Sequence, residues 1–379
     1  MRAYVLGAGA SYPIYPLGRD LLEAVDSFIR DSGRCVDALE WLKGNPNALL
    51  GKAYRAGNME QIFTILDLAE TFFFERLVSE WKAGKAKVTN HTAFDSEIEE
   101  YRRHRKVLLS TVEAYFLQKH QQDRTGYDSP DWDNLKTFGQ ILEPHDVVIT
   151  FNYDSTVERV LREQGKWSPA DGYAAGTELL FQRGPHDQSP VKLPPSPSEV
   201  TVIHLHGAIG WYKKAPFRSG YEFSGSAGAF PQEALAPAQL AEISLDPLLL
   251  QGFGILAVDA SMPERPTEQD QILLHPSFLK DFEGRDTGHN EVFTRMWRVA
   301  SEAIRAAEEV IVIGYSLPPA DTAAWTLFIT ACDPKKTTIV NRSPAATARY
   351  GKISSLPLFR SFKSFEEWLK SHLKAGSCS

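Results

Sequence analysis

Four short stretches of this chain hold residues able to do chemistry, and each follows an apolar run. Gly7-Ala8-Gly9-Ala10-Ser11 comes behind Ala3–Leu6 and ahead of a segment expected to be helical. Glycines at such a turn let backbone N–H groups approach a pyrophosphate, and a helix N-terminus adds a favourable field. The third glycine of the usual dinucleotide pattern is Tyr12 here, and no acidic ribose partner stands about 20 residues on, so a ligand-free strand-to-helix turn fits as well. Thr150-Phe151-Asn152-Tyr153-Asp154 ends the run Val147–Thr150. In an open parallel sheet ligands bind at that strand end, but Asn and Asp also make turns and caps, and Asp154 could cap a helix through Val157 and Val160. His204-Leu205-His206-Gly207 ends a third run. Strand alternation puts both histidines on one face. His206 lies nearer the strand end and the glycine and is the expected reactive group, with His204 a satisfied core histidine. Gly314-Tyr315-Ser316, behind Val310–Ile313, offers backbone amides and a hydroxyl, or a simple turn.

The elements that must position these residues change character at Asp146. Before it, apolar residues recur at helical spacing: a helix around Arg19 to Arg30, a stripe Ile62, Phe63, Leu66, Phe73, Leu77 and Trp81 behind the capping box Asn58–Gln61, another helix over about Phe94 to His120, and a short one around Trp132 to Leu142. After it come short β-branched runs, Val147–Thr150, Val202–Leu205, Val310–Ile313 and Thr337–Val340, of the kind buried in parallel sheets. A helix over Glu291 to Ala307 should bury Val292, Met296, Val299 and Ala303, another follows over Asp321 to Ala331, and Ser364 caps the last, ending near Leu373. The expected fold is α/β, a Rossmann-like parallel sheet flanked by helices. It is built from residues 1–20 plus 143–379, with an inserted helical subdomain at 20–142 and no zinc module. Arg183–Glu199 and Lys213–Leu240 read as irregular surface excursions. Phe72-Phe73-Phe74 spreads three aromatics around a helix, more than one intramolecular face buries easily, so the helical part is expected to serve assembly or gating.

Composition narrows the partners. Of 379 residues, 43% are hydrophobic and 23% charged, which excludes a disordered chain. With a net charge of -7 and no basic stripe, nucleic acid is not the default partner. No run of about 18 apolar residues exists and no signal-peptide core opens the chain, so a cytoplasmic protein without membrane contact is expected. Cys35, Cys332 and Cys378 cannot form a four-cysteine zinc site, and His145, His204, His206 and His275 lack zinc spacing, so no metal is expected.

Taken together the motifs resemble the sirtuin superfamily, and in particular the divergent sirtuin-like domains of bacterial anti-phage defence proteins. The residues that carry the resemblance are Gly7-Ala-Gly9-Ala-Ser11, Thr150-Phe-Asn152-Tyr-Asp154, Leu205-His206-Gly207, and Gly314-Tyr-Ser316 followed by Val340-Asn341. The resemblance implies that Gly7, Ala8, Gly9, Ser11, Gly314 and Ser316 hold the pyrophosphate of NAD and that Asn341 meets the adenosine ribose. It implies further that Asn152 positions the nicotinamide ribose and a water, that Asp154 lies beside the nicotinamide or orders its loop, and that His206 is the base. Protein-deacylating sirtuins carry a four-cysteine zinc module after the His-Gly motif, whereas Trp211–Leu250 contains no cysteine. They usually read Thr-Gln-Asn-Ile-Asp where this chain reads Thr-Phe-Asn-Tyr-Asp. Both departures look like the defence-type domains, which hydrolyse NAD in abortive infection, and the resemblance further implies activation by assembly into a homo-oligomer or by a partner such as a HerA-type ATPase. The competing readings are a zinc-free deacylase or ADP-ribosyltransferase, and a non-catalytic subunit that senses NAD or ADP-ribose.

Overall fold

The computed structural model describes, with brief gaps, residues 1–68, 99–119 and 127–168, then Tyr173, 180–184, 187–192, 198–212, 271–273, 290–353 and 360–376. Its strands are β1 (Arg2–Leu6), β2 (Val147–Thr150), β3 (Leu180–Gly184), β4 (Asp187–Lys192), β5 (Thr201–His204), β6 (Gly207–Tyr212), β7 (Gln271–Leu273), β8 (Glu309–Ile313), β9 (Thr337–Val340) and β10 (Arg360–Phe362). Six of them form one sheet in the order β10-β9-β8-β1-β2-β5, and every neighbouring pair is parallel. The sheet grows from β1 through β2 and β5, then returns to the other side of β1 and grows outward through β8, β9 and β10. That reversal is the doubly wound arrangement of a Rossmann-like α/β fold, and its switch point lies between the carboxyl ends of β1 and β8.

The sequence reason is burial on both faces. Ala3–Leu6, Val147–Thr150 and Thr337–Val340 are buried throughout, so these strands are continuous β-branched and apolar runs and not alternating ones. Register aligns the ends: Leu6 lies beside Thr150 and Ile313, Thr150 beside His204, and Ile313 beside Val340. The backbone ladder then runs one residue further, with Gly7 N–H donating to Ile313 O at 3.0 Å, Phe151 N–H to Leu6 O at 3.0 Å and Leu205 N–H to Thr150 O at 2.9 Å. The candidate motifs therefore leave the sheet along one edge.

Between β1 and β2 the described residues form helices at Leu21–Ser32, Val36–Gly44, Ala48–Arg55, 59–68 and 99–119, followed by Asp133–Ile141. Asn58 Oδ1 accepts from Gln61 N–H at 2.9 Å, as the capping box requires. These helices share one contiguous buried cluster with the sheet: the Tyr15 and Phe116 rings stack at 5.4 Å, and Phe116 meets Tyr153 beside β2 edge-on at 6.5 Å. Helices Thr156–Glu163, Asn290–Ala306, Thr322–Ala331, Pro344–Tyr350 and Phe365–Gly376 accompany the later strands.

Some expectations shift. Of the expected face of Asn290–Ala306, Met296 is buried and Val299 and Ala303 are half-buried, Phe293, Ala300 and Ile304 complete the buried face, and the Val292 side chain lies outside the described residues. The stretch Arg183–Glu199 is not all irregular, because β3 and β4 pair as an antiparallel hairpin across its first half. The strand β10 and the helix Pro344–Tyr350 were not anticipated: β10 is an edge strand of three largely exposed residues without a β-branched run. Ser343-Pro344 did carry a helix-start signal, and Ser343 Oγ accepts from Ala346 N–H at 3.3 Å. The Phe72–Phe74 run, Lys213–Leu240 and His275 lie outside the described residues.

Candidate functional site

The site is built around two loops whose backbones touch. Gly9 N–H donates to Gly314 O at 3.1 Å, and Gly314 takes a φ of 67°. A Cβ on Gly314 would sit 2.4 Å from Ala10 N, and one on Gly9 would sit 2.8 Å from Gly314 Cα. No side chain fits such backbone-to-backbone contact, so glycine here is a packing requirement in its own right. It also occupies the amides: Gly7, Gly9 and Ala10 N–H all donate within these loops, and of the first four residues of the turn only Ala8 has an N–H without a partner among the described residues. No helix opens directly on the turn, since the first begins at Leu21. The neighbouring Leu317 is buried at a φ of 48°, a conformation costly for a bulky side chain, so the β8 loop stores strain at the site.

The β2 loop plugs into the β1 loop through a buried polar chain. Asn152 Nδ2 donates to Gly7 O at 3.1 Å and to Ser11 Oγ at 3.0 Å. Ser11 Oγ in turn donates to Asp154 Oδ1 at 3.1 Å, which also accepts from Thr156 Oγ1 at 2.6 Å and Thr156 N–H at 3.2 Å. Burial pushes the Asp154 carboxyl above the usual carboxylate range, and the Thr156 and Ser11 hydrogen bonds pull against it. Asp154 thus orders this loop and the first turn of Thr156–Glu163. Asn152 keeps its side-chain oxygen as the group able to accept from a ligand hydroxyl or a water.

The two histidines are held by different carboxylates. His204 Nδ1 lies 3.2 Å from Asn152 O, and Nε2 lies 2.5 Å from Glu158 Oε1, with both side chains fully buried. A carbonyl only accepts, so Nδ1 is protonated; Nε2 then needs its own proton to face a carboxylate. His204 and Glu158 therefore form a buried ion pair, supported by Tyr173 Oη donating to Glu158 Oε1 at 3.1 Å. Burial alone would lower the imidazole pKa, and the Glu158 charge and hydrogen bond outweigh it, so the net direction is up. His206 stands two residues beyond β5, before Gly207 at a φ of 77°. Its Nε2 is 3.2 Å from Oδ2 of the buried Asp321. The ring lies edge-on to Phe151 at 5.1 Å, with Tyr153 and Trp297 at 6.2 and 6.4 Å.

The fold thus gathers Gly7–Ser11, Asn152, Asp154, His206 and Gly314 along one sheet edge. Ser316 is exposed there, and its carbonyl accepts from Arg349 Nε at 2.8 Å. Asn341 ties the ends of β8 and β9 together: Nδ2 donates to Tyr315 O at 3.0 Å, and Oδ1 accepts from Ser343 N–H at 2.9 Å. Sequence reasoning missed Glu158, Asp321, Phe151 and the ring of Tyr315. Glu158 left one trace, a carboxylate between the buried Val157 and Val160 of a short helix. Among the described residues no group of three or more His, Cys, Asp or Glu gathers as a metal would need, and no helix is long and apolar enough to cross a membrane. Neither the known protein families nor the curated proteins contain a match to this chain.

Proposed function

We propose that this protein is a sirtuin-like NAD glycohydrolase that cleaves NAD to ADP-ribose and nicotinamide as an effector of anti-phage defence. The observation that carries the reading is the convergence of Asn152, Ser11 and Asp154 in one hydrogen-bonded chain at the switch-point edge, with His206 flanked by the rings on either side of Asn152. In this reading the Ala8 amide, Ser11 and Ser316 face the pyrophosphate, and the Asn152 oxygen accepts from a ribose hydroxyl or the attacking water. The bond from the ribose anomeric carbon to the nicotinamide nitrogen breaks, and its electron pair leaves with neutral nicotinamide. Water oxygen attacks the oxocarbenium-like carbon while His206 takes its proton and returns it to solvent. Positioning and electrostatic support are the main demands of such a reaction. The stretch between β1 and β2 would act as an inserted subdomain for homo-oligomer assembly or for a partner such as a HerA-type ATPase, and that contact would be the trigger.

Incubation of the purified chain with NAD, alone and with an acylated peptide, tests this. Free ADP-ribose and nicotinamide without the peptide are expected. Peptide-dependent O-acyl-ADP-ribose would move the assignment to a deacylase. Tight NAD or ADP-ribose binding without turnover, in every assembly state, would make the protein a sensor.

A further inference from the structure

Base catalysis by His206 needs one ring nitrogen to carry a lone pair, and the surroundings of the ring select which. We propose that Asp321 is a positioning residue that fixes His206 as the Nε2–H tautomer, leaving Nδ1 as the basic nitrogen; the catalytic part of this rests on the role given to His206 above. Asp321 is buried at the start of helix Thr322–Ala331, where Oδ1 accepts from Ala324 N–H at 3.2 Å. Its Oδ2 accepts from Tyr315 Oη at 2.7 Å and stands 3.2 Å from His206 Nε2. A carboxylate has no proton to give, so a neutral imidazole facing it must carry its proton on Nε2. When Nδ1 then takes a proton, the imidazolium forms against a fixed buried negative charge, the arrangement that supports the histidine of hydrolase triads.

The same residues lock the ring in place. Tyr315, which donates to Asp321, stacks on Phe151 at 3.9 Å and 6°, and Phe151 packs edge-on against His206. The β8 loop, the β2 loop and the His-Gly turn thus converge on one imidazole.

Asp321→Asn separates this role from helix capping. Asparagine caps nearly as well as aspartate, so its oxygen stays with Ala324 N–H and its NH₂ replaces Oδ2. Nε2 of His206 would then face a donor and become the acceptor, moving the ring proton to Nδ1. Nitrogen-15 NMR of the histidine side chains in the full chain reads this directly, with His206 assigned from the signal lost in His206→Ala. The expected result is a proton on Nε2 in the wild type, transfer to Nδ1 in Asp321→Asn, unchanged helix content, and nicotinamide release reduced on the order of 10²-fold or more. A wild-type His206 protonated on Nδ1 overturns the proposal even if the variant fails to fold. So does a variant that keeps the wild-type tautomer, or one that switches tautomer at full activity. A wild type that shows the expected tautomer and variant switch yet never cleaves NAD supports the Asp321 assignment and overturns the glycohydrolase reading alone.

Discussion

At the scale of single residues, Asn152 holds the fold with the same side chain that is proposed to serve the site, whereas His204 holds the fold alone. Asn152→Ala removes the oxygen proposed to orient ribose and water, and also the hydrogen bonds to Gly7 and Ser11. Nicotinamide release should fall on the order of 10²-fold, with a loss of about 1 kcal/mol per hydrogen bond in chemical denaturation. His206→Ala should match the activity loss with a smaller stability change, and equal release from both variants and wild type would defeat the mechanism. His204→Ala strands Glu158 as a buried charge and should cost about 3–5 kcal/mol, while His204→Gln with Glu158→Gln together should recover much of it. The pH dependence follows from the sign of the shift. Because the folded pKa of His204 is raised, its stabilisation is complete below its ordinary value of 6.5 and fades as pH rises through the higher folded value. Calorimetry should show the wild-type melting temperature declining on the alkaline side more steeply than that of the paired glutamine variant. Asn152, Asp154 and His206 were legible because they are polar residues at the ends of apolar runs. Asp321 and Glu158 were not, since an N-cap aspartate and a helix glutamate look solvent-facing until a histidine from another element closes over them.

At the scale of elements, five of the six strands of the main sheet were legible to within a residue because burial on both faces leaves a continuous β-branched or apolar run, as Thr337–Val340 shows, whereas the strands of the two small antiparallel pairs were not. The exposed edge strand β10 leaves no such run. The glycine motifs were legible as turns, but not their reason, which is contact between the β1 and β8 loops across more than 300 residues of chain. Gly314→Ala places a Cβ at positive φ against Ala10 N, so it should destabilise by more than about 1 kcal/mol and disturb the site as well. A denaturation midpoint equal to wild type would contradict that packing. Within β1, Tyr4 is fully buried between Phe138 at 5.2 Å and Trp368 at 6.2 Å, and its hydroxyl has no partner among the described residues. Tyr4→Phe keeps the ring contacts and removes an unsatisfied polar group, so it should raise stability by about 1 kcal/mol, read as a higher denaturation midpoint. A lower midpoint would mean that the hydroxyl is satisfied after all.

At the scale of the whole molecule, the sheet order sets a timetable for synthesis. Ala3 of β1, the strand at the switch point, pairs with Val147 on one side and Val310 on the other. At roughly 5–20 residues per second, a ribosome needs tens of seconds between delivering β1 and delivering β8. For that interval a central strand of the finished sheet has an open edge, and such edges recruit other strands. A nascent chain arrested before Glu309 should therefore bind holdase chaperones and remain protease-sensitive, while the released 379-residue chain should resist. The two loops that form the candidate site can meet only after that delay, so no half-made chain carries the assembled centre; under the glycohydrolase reading proposed above, this protects the NAD of the cell that is still translating it.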